Sequence, residues 1–127
     1  MMQFLKIIFY ISSLLLVIIS IYPGSLIGFL IYGDLGHQPI LIKNPFGSTI
    51  NHFLAYFYVS LLGFITYPKK EDFKTVMMVL ILLSIVTEFL QLIVPKRSFE
   101  LNDIIANILG LFVAYLIIKI YLLINKL

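Results

Sequence analysis

Four long apolar runs, bounded by prolines or polar clusters, constrain this chain more than any other feature. Residues 4–22, 50–67, 75–94 and 103–124 each approach the roughly 20 residues a helix needs to cross a hydrocarbon core about 30 Å thick. Pro23, Pro39, Pro45, Pro68 and Pro95 all lie outside these runs. In lipid a missing backbone donor finds no water to replace it, so prolines collect at helix ends. Of the 127 residues, 61% are hydrophobic and only 12% charged, and a soluble domain of that size lacks the polar shell to hide so much apolar surface. The prediction is an all-α membrane protein, a bundle of four transmembrane helices forming a single domain over residues 1–127. The first run carries Lys6 near its start and lacks a small-residue cleavage pattern after it, so it reads as an uncleaved anchor.

The 23–49 connection is not simply polar. Its 25–32 stretch is apolar, and Gly24, Gly28, Gly33, Gly36 and Gly47 punctuate it, which suits a short interfacial or re-entrant segment between the first two spans. Gly24 and Gly28 form a GxxxG, but beside a proline and outside a span it carries little weight. The absence of cysteine excludes disulfides, thiolate metal ligation and a cysteine nucleophile. The nine Lys and Arg are scattered singly or in pairs, which argues against nucleic acid as a partner and speaks instead to topology. Placing Lys6, Lys69, Lys70, Lys74, Lys119 and Lys126 inside leaves only Lys43, Lys96 and Arg97 outside. Cationic loops resist translocation, so both termini are predicted to be cytoplasmic.

Polar residues within the spans fall on stripes. On the third span Ser84, Thr87, Glu88 and Gln91 occupy one narrow arc at 100° per residue. An ionisable side chain inside a span costs about 2.5 to 3.5 kcal/mol on insertion scales, so Glu88 is expected to face the bundle and find partners. Asp103, Ala106, Asn107 and Gly110 share a face of the fourth span, and His52, Ala55, Tyr56 and Gly63 share one on the second. The second and fourth spans begin where the third ends, so His52, Glu88, Gln91, Asp103 and Asn107 come to one level, within about 10 Å of the outer boundary at 1.5 Å per residue. Arg97 stands at the mouth of the same cluster.

Other roles compete for these residues. Asn102 suits an N-cap, and Asp103 in a first turn complements the helix dipole. His37 has no ligand-like neighbours in sequence, and the tyrosines other than Tyr56 read as interfacial belt residues. A metal held jointly by His52, Glu88 and Asp103 is chemically feasible, but no span supplies two ligands at i, i+4, so neither a metal nor another cofactor is assigned. The whole cluster also reads as structural glue that fixes helix register, in a non-catalytic accessory or scaffold subunit. Polar groups do not extend through the full membrane depth, which disfavours a transporter.

Asn51-His52-Phe53-Leu54-Ala55-Tyr56, Glu88-Phe89-Leu90-Gln91, Pro95-Lys96-Arg97 and Asp103-Ile104-Ile105-Ala106-Asn107-Ile108-Leu109-Gly110 resemble, in this order, the VanZ-like family. The likeness covers residues 48–110, with one departure: Ser48-Thr49 stand where the family typically has an Asp-Lys pair three residues before the His. The resemblance implies a multi-pass protein of the bacterial cytoplasmic membrane, related to the protein that confers low-level resistance to the glycopeptide teicoplanin. It brings no reaction with it. Combined with the co-planar cluster, it implies an envelope protein whose outer-leaflet polar pocket engages a membrane lipid head group or a lipid-linked cell-wall intermediate. His52, Tyr56, Glu88, Gln91, Arg97, Asp103 and Asn107 are the expected binding residues, Arg97 pairing with a phosphate. In an enzymatic version Glu88, His52 and Asp103 are the catalytic candidates, Glu88 as acid or base. Four helices make a thin bundle, which suits homodimerisation.

Overall fold

A computed structural model describes residues 2–39, 42 and 45–125, leaving aside the side chain of Lys70. Lys43 and Lys126, which enter the charge count above, lie outside the described residues. The described residues form five helices and no strand: α1 (Met2–Ile21), α2 (Leu26–Tyr32), α3 (Thr49–Thr66), α4 (Lys70–Gln91) and α5 (Leu101–Ile124). Helices α1, α3, α4 and α5 are long and apolar enough to cross a membrane. Large apolar side chains such as Phe4, Leu14, Leu82 and Ile120 are exposed, as required of a surface solvated by acyl chains.

The spans sit where hydropathy placed them, with shifted ends. Helix α4 starts at Lys70 rather than at residue 75, because the polar segment before the apolar run is itself helix-forming. Glu71 and Asp72 occupy its first turn, where negative charge meets the positive end of the helix dipole. It stops at Gln91 rather than 94: Leu92, Ile93 and Val94 are apolar but close turns ahead of Pro95, whose ring disfavours a helical residue before it. The expectation that Asn102 caps α5 is overturned. Glu100 holds the N-cap position and Asn102 lies inside the first turn, beside Asp103.

Helices α3 and α5 form the most intimate pair. A methyl group on Gly110 would run into the backbone carbonyl of Phe53 on α3 and come within 2.9 Å of the Phe57 nitrogen, so only glycine permits this approach. Buried Phe9, Tyr56, Val59, Phe64, Leu80, Leu111 and Ala114 fill the space between the helices.

The connection from α1 to α3 does contain a short helix. Ser25 caps α2, its Oγ accepting from the Gly28 nitrogen at 2.9 Å, and Gly33 ends it in the left-handed region at φ 71°. The chain then folds back on α2, with the Ser25 nitrogen donating to the Leu35 carbonyl at 2.7 Å. A side chain at Gly28 would collide with the His37 carbonyl, so this glycine matters through contact with its own loop and not as a helix-dimer motif. Asn51 Nδ2 donates to the Pro39 carbonyl at 2.8 Å, tying the loop to α3.

Candidate functional site

His52 lies in the first turn of α3, Glu88 in the last turn of α4 and Asp103 in the first turn of α5. Because α4 runs antiparallel to the other two, the three ends coincide at one end of the bundle. His52 stands between the acids: its Nδ1 is 3.5 Å from Glu88 Oε1 and its Nε2 is 3.3 Å from Asp103 Oδ2. A neutral imidazole offers one N–H and one lone pair, so it can donate to only one of the two carboxylates. Glu88 is 1% exposed and Asp103 7%. Both are buried as the third-span and fourth-span stripes demanded.

The rest of the stripe closes around them. Asn107 Nδ2 donates to Ser84 Oγ at 2.9 Å, and Thr87 returns its hydroxyl to the Leu83 and Ser84 carbonyls, a common way to bury threonine in a helix. Tyr56 faces Thr87 and Ser84 without closing a well-aligned hydrogen bond to either. Glu88 Oε2, Asp103 Oδ1, Asn107 Oδ1, Tyr56 Oη and Ser60 Oγ are buried with no protein partner. Buried polar atoms are usually satisfied, so this concentration of orphans singles the cluster out as the candidate site.

Gln91 and Arg97 are turned elsewhere. Arg97 Nη2 donates to the Ile19 carbonyl at 2.7 Å and its Nε to the Tyr22 carbonyl at 3.2 Å. Gln91 Nε2 donates to the Ser20 carbonyl at 3.1 Å. These carbonyls belong to the last turn and exit of α1, which lack helical partners of their own, and a cation there also meets the negative end of the dipole. Burial pushes the guanidinium pKa down from its ordinary value, with Glu88 and Asp103 pushing it back up.

A cavity of about 330 Å³ opens beside the cluster. Leu16, Ile19, Leu26, Ile27, Leu54 and Ala55 supply much of its wall, and the polar side chains on it include Ser20, Ser25, Gln38, Asn51, His52, Tyr56 and Arg97. Glu88, Gln91, Asp103 and Asn107 do not line it directly; the two acids and Asn107 meet His52, and Gln91 is bonded to the Ser20 carbonyl. Sequence reasoning missed Ser20, Gln38, Asn51 and Ser60. Two left a trace: Asn51 opens the motif that contains His52, and Ser60 lies one turn beyond Tyr56 and two beyond His52 on the same face of α3.

Fold and site together define a multi-pass helical membrane protein with an acid–imidazole–acid cluster buried at one end of its bundle. The chain belongs to the VanZ/LLP1 family, whose sequence model matches residues 40–123. The match takes in every member of the cluster and leaves α1 outside it. Comparison with curated proteins and with solved structures gives no match.

Proposed function

We propose that this VanZ-like protein lies in the bacterial cytoplasmic membrane with both termini in the cytoplasm. In its outer-facing cavity it engages a lipid head group or lipid-linked cell-wall intermediate, with an effect on teicoplanin susceptibility. The observation that carries the reading is His52, held between Glu88 and Asp103 on the wall of a cavity it shares with Arg97. An apolar wall with polar groups gathered around it suits an amphiphile, whose tail is solvated by the one and whose head is held by the other. Arg97 retains N–H donors beyond the two bonded to α1, since a guanidinium carries five, and these are available to a phosphate. In an enzymatic form Glu88 serves as acid or base with His52 as its partner, and Asp103 and the Asn107 amide hold the ring in place.

The test is lipid retention and drug susceptibility in parallel. Extraction into polymer nanodiscs followed by native mass spectrometry is expected to show a phosphate-bearing lipid retained by the wild type. Arg97→Lys, which keeps charge but loses the planar fork, should reduce that retention about tenfold. Glu88→Gln and Asp103→Asn should abolish any teicoplanin tolerance conferred by expression while leaving protein level unchanged. Equal retention by wild type and Arg97→Lys overturns the phosphate role. A second reading, an accessory subunit whose polar groups only set helix register, is favoured by the Asn107–Ser84 bond and the ties to α1. It requires the same variants to melt early without a separate functional loss.

A further inference from the structure

Lack of an i, i+4 ligand pair on any one helix argued against a metal, but the fold supplies ligands from three different helices. His52, Glu88 and Asp103 each offer a ligand atom, and these atoms all lie within 4.8 Å of one another. The two shortest contacts, 3.5 Å from His52 Nδ1 to Glu88 and 3.3 Å from His52 Nε2 to Asp103, use opposite ring nitrogens, so an ion at about 2.0 Å from its ligands takes one nitrogen and draws the farther carboxylate round to it.

Charge and hydrogen bonding point the same way. With His52 neutral, the cluster holds two carboxylates, and among the described residues no Lys or Arg comes within 4.0 Å of either. Arg97 acts on them through space but spends its Nε and Nη2 on α1. An independent mark comes from Asn107, one turn along α5 from Asp103 and 1% exposed. Its Nδ2 is committed to Ser84, and its Oδ1, in reach of His52, has no hydrogen-bond partner. Glu88 Oε2 and Asp103 Oδ1 are orphaned likewise. Carboxylate and amide oxygens are acceptors only, and the donors that face this set are the Glu100 N–H near Glu88 and the His52 ring, which leaves lone pairs suited to a cation.

We propose that His52, Glu88 and Asp103 bind one divalent metal ion of the zinc or manganese class, with the Asn107 amide oxygen beside it. One imidazole and two carboxylates suit Zn²⁺ or Mn²⁺ better than Ca²⁺ or Mg²⁺, which favour all-oxygen sets, and no thiolate is present to select Cu⁺. Two carboxylates balance the ion's charge within the bundle. Three protein ligands leave a coordination position open, as in catalytic metal sites, and His52 is the ligand that also reaches the cavity wall. The inference does not depend on the cavity taking a lipid.

The test uses the full chain in nanodiscs, stripped with EDTA and titrated with ZnCl₂ by calorimetry and with MnCl₂ by electron paramagnetic resonance. The wild type is expected to bind one ion per chain with micromolar or tighter affinity and to melt at a higher temperature when loaded. Changes around a metal ligand already cost 10- to 100-fold in affinity, so Glu88→Gln and Asp103→Asn should each weaken binding about 100-fold or more and lose the thermal shift. His37→Gln, which alters the chain's other histidine, should keep both. The wild-type titration is decisive without any variant: no saturable binding of either ion overturns the proposal. So does binding that survives both acid substitutions, or binding that disappears with His37.

Discussion

Glu88 is the residue whose position is hardest to explain by stability. One carboxylate oxygen faces His52 at 3.5 Å, and the other is buried with no partner. Removing a buried, poorly compensated charge is often neutral or stabilising, whereas removing one partner of a well-made bond is not. In metal-free protein Glu88→Gln is therefore expected to melt at the wild-type temperature or above it, by thermal scans in nanodiscs. Asn107→Ala should behave oppositely. It orphans the buried Ser84 hydroxyl, which Asn107 now engages at 2.9 Å, and should cost about 1 to 3 kcal/mol, read as a lower midpoint in the same scans. If Glu88→Gln is the more damaging of the two, the acid is there for packing and the scaffold reading gains. At this scale the sequence was informative because helical periodicity alone put Ser84, Thr87, Glu88 and Gln91 on one buried arc. It could not show that Asn107 would choose Ser84 rather than Glu88, since that choice depends on rotamers and interhelical rotation.

Between helices, the ties that matter most were the least visible. Arg97 and Gln91 hold the last carbonyls of α1, and a backbone carbonyl has no residue identity for a sequence to reveal. The motif residues were recognised; their partners were not. These bonds dock the end of α1 so that Leu16, Ile19 and Ser20 form one wall of the cavity. Arg97→Ala should loosen that end by about 1.5 to 3 kcal/mol, the range for hydrogen bonds made by a charged group. The chain has no cysteine, so a single Ser20→Cys reports directly: maleimide labelling at that position should accelerate when Arg97→Ala is added. An unchanged rate would mean that apolar contacts alone hold α1. The α3–α5 contact makes a contrasting case, because small residues on a polar stripe did announce close approach. At Gly110, alanine already meets the Phe53 carbonyl, and leucine is expected to separate α3 from α5, abolishing the cooperative melt while leaving helix content by circular dichroism largely intact.

For the whole molecule, four spans were legible because hydrocarbon thickness imposes a length that few other structures imitate. Helix ends were read less well, since hydropathy does not decide where the backbone ladder stops: α4 extends past its apolar run at one end and falls short at the other. Orientation is a separate matter, resting on the distribution of Lys and Arg, and on it depends which compartment the cavity faces. The cysteine-free background again makes the experiment direct. Asp34 and Ser98 are exposed in the connections at the end that carries the cluster, while Lys69 and Asn125 are exposed at the other end. Single cysteines at positions 34 and 98 are expected to react with a membrane-impermeant maleimide in intact cells, and those at 69 and 125 only after permeabilisation. The competing charge is local, with Lys96 and Arg97 beside Ser98 on the side assigned as external. Arg97 is half-buried and bonded to α1, whereas Lys69 and Lys74 are exposed at the opposite end, the end that the charge rule expects inside. A reversed labelling pattern would turn the cavity to the cytoplasm. The metal proposal would stand in that case, because its ligands are set by the packing of three helix ends, but an outer-leaflet cell-wall ligand would not.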